Sequence, residues 1–247
     1  MTGDIPNLPP TLIGAIGRPF WYEGAAVSER AELARTTVPL ADGRGQRVVL
    51  VSGYLAGTRS TRPLAQWLRA AGYVVAYAEV GRNAVSSSVA AAAIADALRF
   101  GDGPSLLIGH SRGGQQCRVA AYRNPELVSQ LITLGSPVRA HYPRAALLRA
   151  SVEATRLLNL LPVGPNEDPV AETQYERDLF APFPEQVPWT AIWSKRDGVI
   201  EWQACLDPAA DSLEVTCSHT GLVASVSSFR AIADVLDAAA GRFGGTE

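Results

Sequence analysis

One short run constrains this chain's fold more than any other: Leu106-Leu107-Ile108-Gly109-His110-Ser111-Arg112-Gly113-Gly114. Three apolar residues lead into a Gly-x-Ser-x-Gly turn, and a helix-compatible segment follows at once. That is the spacing of a nucleophile elbow, a strand-to-helix turn that lifts one side chain to the top of a sheet. The central residue of such a turn is strained, and the chain passes close to itself two residues to either side. A Cβ at 109 or 113 would collide with the neighbouring strand or helix, so glycine stands at both places. Ser111 then sits at the amino end of the next helix, where N–H groups and the helix dipole favour an oxyanion. Among 22 glycines the pattern can arise by chance; its weight comes from the flanking elements and from partners further along.

The flanking elements alternate. Val48-Val49-Leu50-Val51 is a continuous β-branched run, as expected of a strand buried on both faces of a parallel sheet. The loop Ser52-Gly53-Tyr54-Leu55-Ala56-Gly57 follows. A helix capped by Ser60 or Thr61 then carries Leu64, Trp67, Leu68 and Ala71 at helical spacing and closes at Gly72. Tyr73 to Val80 reads as a strand, Val89 to Phe100 as an alanine-rich helix, and Gly101-Asp102-Gly103-Pro104 as a turn. The helix after the elbow stops near Arg123, before Pro125, and Leu131 to Pro137 is the next strand. Trp189 to Ser194 and Leu213 to Thr216 are further strands, and Val223 to Ala240 a closing amphipathic helix. This rhythm predicts an α/β fold of βαβ units with a mostly parallel central sheet flanked by helices.

Two stretches break the rhythm. Residues 1–46 form an amino-terminal arm with Pro6, Pro9 and Pro10, an aromatic Phe20-Trp21-Tyr22 cluster and a short helix over Glu29 to Arg35. Such an arm either packs on the core or covers a pocket. Residues 138–186 lack strand periodicity and are leucine-dense at Leu147, Leu148, Leu157, Leu158, Leu160 and Leu161. This segment reads as a short helical cap inserted over the nucleophile. The organisation is thus a single domain, 1–247, with an arm and a cap.

A serine hydroxyl needs a base within hydrogen-bond reach and a third group to orient that base. The chain has three histidines. His110 adjoins Ser111 but points away into the protein, and His141 lies in the loop that enters the cap. His219, in Cys217-Ser218-His219-Thr220-Gly221-Leu222, occupies a strand-end loop on the ligand face of an open α/β sheet, and is the expected base. The acid is Asp197, directly after the strand ending at Ser194, where Gly198 permits a tight turn. The order Ser, Asp, His, each at a strand end, selects Asp197 over Asp168, Asp178, Asp207 and Asp211, which have no strand before them. The oxyanion donors are expected to be the backbone N–H groups of Arg112 and Tyr54. The Arg112 side chain is either a surface charge or a group at the pocket rim.

Composition bounds the rest. With 47% hydrophobic and 19% charged residues the chain is ordinary globular material, and a net charge of −2 without basic blocks points away from nucleic acid. No apolar run is long enough to span a bilayer, and no signal segment is visible at the amino terminus. A cytoplasmic location is therefore expected, although a mature secreted form would look the same. No metal-ligand spacing occurs and no cofactor is called for. Cys117 reads as a core residue. Cys205 and Cys217 flank the base region and are expected to lie close enough for a disulfide tying the acid loop to the base loop, if the segments bearing them are adjacent.

With these residues laid out, the chain resembles the α/β-hydrolase superfamily, and within it small bacterial esterase/lipase-like members. The likeness covers roughly residues 40 to 240. It rests on Ser-Gly-Tyr-Leu-Ala-Gly after the first buried strand, Gly-His-Ser-Arg-Gly-Gly at the elbow and Ser-His-Thr-Gly-Leu before the last helix. Leu131 to Pro137 and the Asp197-Gly198 turn also look like that family. Many members carry His-Gly where this chain has Ser52-Gly53, and the family's early strands are not evident before residue 47. The resemblance implies the α/β-hydrolase fold and cleavage of a small-molecule carboxylic ester with an apolar acyl or alcohol part. A thioesterase or acyltransferase would use the same triad, and a catalytically silent binding protein is the reading from another class. A carboxylate nucleophile, as an epoxide hydrolase or dehalogenase needs, is excluded by Ser111.

Overall fold

The computed structural model describes residues 19–139 and 168–243. Six strands form a single sheet: β1 (Arg47–Val51), β2 (Val74–Tyr77), β3 (Ser105–His110), β4 (Val128–Leu134), β5 (Trp189–Trp193) and β6 (Asp211–Glu214). All neighbours pair in parallel, in the spatial order β2-β1-β3-β4-β5-β6. Among the described residues no strand precedes Arg47. The helices are α1 (Ala26–Leu33), α2 (Arg62–Ala70), α3 (Ser87–Arg99), α4 (Arg112–Arg123), α5 (Pro169–Phe180) and α6 (Val226–Phe243).

Side chains alternate along each strand, so one strand feeds two cores. Val48 and Leu50 pack with Leu106, Ile108, Ile132, Leu134 and Ile192 beneath α2 and α6, where Leu64, Leu68, Phe229 and Ile232 meet them. Val49 and Val51 face the other way, with Leu107 and Leu131, against Ile94 and Leu98 of α3 and Cys117, Ala120 and Ala121 of α4. Both faces are apolar and covered, which is why these strands read as unbroken hydrophobic runs.

Element ends depart from expectation where local chemistry decides them. The α3 helix begins two residues early because the Ser86 hydroxyl accepts the Val89 N–H at 3.4 Å. At α2 neither expected cap forms: Ser60 Oγ and Thr61 Oγ1 donate back to the carbonyls of Gly57 and Thr58. The edge strand β2 covers only Val74–Tyr77, the length over which β1 offers partners. The other edge strand, β6, starts at Asp211, since pairing of Thr190 with Asp211 fixes its register.

The arm's described part packs on the core. Val38 is buried beside Leu64 and Phe229, its carbonyl accepts Trp67 Nε1–H at 2.8 Å, and Ala41 N–H reaches Asp237 Oδ1 at 3.2 Å. Of the segment expected to form the cap, the six leucines lie outside the described residues. Its described end is α5, which packs on the outside of α3 and α4: Tyr175 and Leu179 meet Ala91 and Val119, and Arg123 bonds Asp178 at 2.6 Å. Among the described residues no helix is long and apolar enough to cross a membrane.

Candidate active site

The strand order reverses direction between β1 and β3, since the chain runs from β1 outward to β2 and then returns to β3. Open α/β sheets bind ligands outside the carboxyl ends of the strands at such a reversal. Ser111 stands at that point. It joins β3 to α4 with φ 54° and ψ −127°, a conformation that costs a side-chain-bearing residue about 1–3 kcal/mol. Its N–H donates to the Leu134 carbonyl at 2.8 Å, fastening the turn to β4. The two glycines behave as the elbow demands. A Cβ on Gly109 would lie 2.5 Å from Gly114 Cα and 2.7 Å from Cys117 Sγ, and one on Gly113 would lie 2.5 Å from the Ser52 carbonyl oxygen at the end of β1.

The loop after β5 carries Asp197 and the loop after β6 carries His219, both nearly inaccessible. Asp197 Oδ1 accepts the N–H groups of Val199 at 2.8 Å and Ile200 at 2.7 Å, which fixes the carboxylate plane. Its Oδ2 faces His219 Nδ1 at 2.6 Å. A carboxylate only accepts, so Nδ1 carries the proton and Nε2 keeps a lone pair for a nucleophile. Burial works against the imidazolium, but the Asp197 charge, its hydrogen bond and the Glu23 charge outweigh it and raise the His219 pKa above 6.5. Gly135, at φ 55°, passes beneath the pair; a Cβ there would be 3.1 Å from Asp197 Oδ2 and 3.3 Å from His219 Nδ1. The residue before it, Leu134, is the one holding Ser111, so serine, histidine and aspartate gather around one short stretch of chain.

His110 points inward, as expected, but takes part in the site. Its ring lies 4.6 Å from that of His219, and its Nε2 is 3.0 Å from the His219 carbonyl. The carbonyl only accepts, so Nε2 is the protonated nitrogen, while the buried Nδ1 finds no hydrogen-bond partner among the described residues. Burial and the neighbouring imidazole push its pKa down to about 3, which favours the neutral ring. His141 lies outside the described residues.

The side chains of Tyr54 and Arg112, whose backbone N–H groups are the expected oxyanion donors, meet: the Arg112 guanidinium stands 5.7 Å from the Tyr54 ring centroid, a contact that does not itself place the N–H groups. Arg112 opens α4, so its N–H belongs to the first helical turn. Its side chain latches the loop after β2, donating to the carbonyls of Asn83 at 3.0 Å and Val85 at 2.9 Å. In the loop bearing Tyr54, the Ser52 hydroxyl donates to the Ala56 carbonyl at 2.5 Å. Asn83 Nδ2 donates to the Ser52 carbonyl at 2.7 Å, and the Asn83 amide exchanges two hydrogen bonds with that of Gln116. That buried polar network braces the loop.

The expected Cys205–Cys217 disulfide is not formed: Cys117, Cys205 and Cys217 are all buried free thiols. The reason is the side of the sheet each faces. Cys205 packs with Trp193 and Ile200, while Cys217 belongs to the core of Leu222 and Phe229. Burial pushes the Cys205 thiol well above its ordinary pKa and that of Cys217 up to about 12, so both are unreactive. The two loops are tied by a hydroxyl instead, with Ser194 Oγ donating to the Cys217 carbonyl at 2.6 Å and accepting the Cys217 N–H at 3.3 Å.

Glu23 and Glu29 of the arm, which no motif marks, also reach these loops. Glu23 accepts hydrogen bonds from the backbones of Gly198, His219 and Thr220, and Glu29 from Ser218. No spacing or periodicity links residues so far apart. Among the described residues, no group of three or more His, Cys, Asp or Glu is placed to hold a metal ion.

The parallel sheet, the elbow after its third strand and the loops after its fifth and sixth define the α/β-hydrolase fold. Solved structures share it. Lipase BlEst2 of Bacillus licheniformis in its mature form superposes with a TM-score of 0.57 at 18% identity, over 81% of this chain and 96% of that one. Alpha/beta hydrolase domain-containing protein 10 from mouse gives 0.56 at 16% identity, over 83% and 92%. The thioesterase domain from the curacin biosynthetic pathway gives 0.50 at 18% identity, over 79% and 92%. No family model matches the sequence, and no curated protein does. At such identities the likeness is one of fold.

Proposed function

We propose that the protein is a serine hydrolase that cleaves small-molecule carboxylic esters through an acyl-enzyme. The observation that carries this reading is the buried His219–Asp197 pair at 2.6 Å, in loops at the same carboxyl edge of the sheet as a serine in the strained elbow conformation. Packing alone does not require a carboxylate, an imidazole and a strained hydroxyl at the same edge of one sheet. Ser111 Oγ attacks the ester carbonyl while His219 Nε2 takes its proton. The tetrahedral oxyanion is met by the N–H groups of Arg112 and Tyr54. Collapse expels the alcohol, which takes the proton back from His219. Water then enters by the same steps in reverse order and releases the carboxylic acid. Asp197 holds the imidazole and stabilises its charge throughout, and no cofactor is needed.

The leucine-rich segment between Leu147 and Leu161 favours an apolar acyl or alcohol group on the substrate. Each further buried methylene would add about 0.8 kcal/mol to transition-state binding, close to fourfold in kcat/KM, until the pocket is full. A panel of aryl esters from two to twelve acyl carbons tests both points. The expected result is hydrolysis that rises above the acetate for short-to-medium chains and disappears in Ser111→Ala. A flat or falling series removes the preference for an apolar acyl group, and a fully active Ser111→Ala removes the function. The fold shared with a thioesterase domain favours one second reading, acyl transfer from a thioester by the same triad. Thioesters in the same panel separate the two.

A further inference from the structure

The arm's two carboxylates lie against the loop that carries the base. Glu23, in the 3-10 turn Pro19–Ala25, accepts with Oε1 from the His219 N–H at 2.7 Å and the Gly198 N–H at 3.2 Å. Its Oε2 accepts from the Thr220 N–H and hydroxyl, both at 3.1 Å. Glu29, in α1, accepts from the Ser218 N–H at 2.8 Å and from the Ser218 hydroxyl at 2.6 Å. It sits so close that a Cβ on Gly221 would overlap its carboxylate. Three consecutive backbone N–H groups, those of Ser218, His219 and Thr220, therefore point at carboxylates from the other end of the chain. Gly198 directly follows Asp197, so the single Glu23 carboxylate holds the acid loop and the base loop together.

We propose that Glu23 and Glu29 are positioning residues of the triad, with Glu23 clamping the Asp197 loop to the His219 loop and Glu29 anchoring the residue before His219. This inference rests on the triad reading above. Charge-assisted hydrogen bonds are among the stronger neutral-to-ion contacts, and three from backbone N–H groups and one from the Thr220 hydroxyl converge on Glu23. Holding the loops fixes where Nε2 lies relative to Ser111, and small displacements of a catalytic group are costly. The Glu23 charge also favours the imidazolium that forms when His219 takes the serine proton. The ionisable groups facing His219 are Asp197 from the β5 loop, His110 from the end of β3 and Glu23 from the arm, with Glu29 one residue further out. His110 is neutral, so Asp197 and Glu23 supply the charge.

The test uses the full-length protein and two readouts. The first is the titration of the His219 ring protons by NMR, which needs no substrate. The chain has only three histidines; His110 stays neutral across the range, and His141→Gln identifies the remaining signal. The second is the rate at which an alkyl fluorophosphonate labels Ser111, with kcat and KM on an aryl ester beside it. Glu23→Gln keeps the shape and removes the charge. Its expected effects are a lower His219 titration midpoint and a loss of roughly ten- to a hundredfold in kcat and in labelling rate, with KM little changed. Glu29→Gln is expected to lower kcat less. A folded Glu23→Gln with the parent's midpoint and labelling rate overturns the proposal. Should Glu23→Gln fail to fold, Glu23→Asp decides: a slower labelling rate with the midpoint kept near the parent's supports the clamp, and an unchanged rate overturns it. A parent protein that is not labelled at Ser111 instead refutes the triad reading itself, a result distinct from either of these.

Discussion

Replacing Asp197 by asparagine tests the triad through its proton positions. The N–H groups of Val199 and Ile200 both point at Oδ1. They will hold the asparagine carbonyl oxygen on that side and turn its NH2 toward His219 Nδ1, where the carboxylate now stands at 2.6 Å. Two donors then face each other, and His219 relaxes to the tautomer with its proton on Nε2, leaving no lone pair for Ser111. The shape is unchanged, so the loss is electronic, on the order of 10⁴ in kcat, or about 5.4 kcal/mol of transition-state stabilisation. The pH dependence carries a second sign. Asp197 raises the His219 pKa, and the base must be neutral, so the parent's kcat/KM rises with pH through a limb above the ordinary imidazole value of about 6.5. The limb of the residual activity in Asp197→Asn should move to lower pH. The assay is kcat/KM for an aryl ester from pH 5 to 10, with near-ultraviolet circular dichroism to confirm the fold. A folded variant within tenfold of the parent at every pH refutes the assignment of Asp197.

Ser111→Ala should retain the fold and lose ester hydrolysis by a thousandfold or more, an order of magnitude set by other triads, and combining it with His219→Ala should cost no more, since the three act as one unit. Gly109→Ala should destabilise the protein by about 1–3 kcal/mol, because the new Cβ meets Gly114 backbone, which cannot yield as a flexible side chain would; urea unfolding measures it, and an unchanged midpoint contradicts the close approach. Thiol titration should find three reactive groups in unfolded, unreduced protein and almost none in the native state, whereas one thiol in the unfolded sample would mean that a bridge forms after all. The raised His219 pKa stabilises the native state fully below the unfolded value, and that contribution fades as pH rises through the folded value. The stability difference between parent and His219→Gln, from urea melts at pH 5.5 and pH 9, should therefore favour the parent more at pH 5.5.

Much of the sheet was legible because a strand buried on both faces must be apolar throughout, as in Val48 to Val51 and Leu106 to Ile108. The elbow was legible because its backbone excludes side chains at Gly109 and Gly113. Edge strands were harder. In β6 the polar residues Asp211 and Ser212 pair with Thr190 and Ala191, and that register belongs to the neighbour rather than to any apolar pattern in β6 itself. The cysteines misled because nearness along the chain says nothing about which side of a sheet a thiol faces. Glu23 and Glu29 could not be read at all: an isolated glutamate in an irregular arm looks like any solvated carboxylate until the fold lays it against its partners. His110 was placed correctly as pointing inward, but its contact with the His219 ring depends on the end of β3 and the loop after β6 meeting in space.

The bonds from the arm to the base loop join residues 189 to 197 positions apart. Such contacts form late in a growing chain, because closing a loop of that size gains nothing until both ends exist. During synthesis the elbow and its serine emerge with roughly half the chain still unmade, and at about 5–20 residues per second the base follows several seconds later. For that interval the protein holds a strained serine without its imidazole, and a glutamate waiting for the backbone it will bind. If the proposed esterase activity holds, its appearance in a translation mixture would time the closure of the chain upon itself, lagging behind the appearance of the sheet.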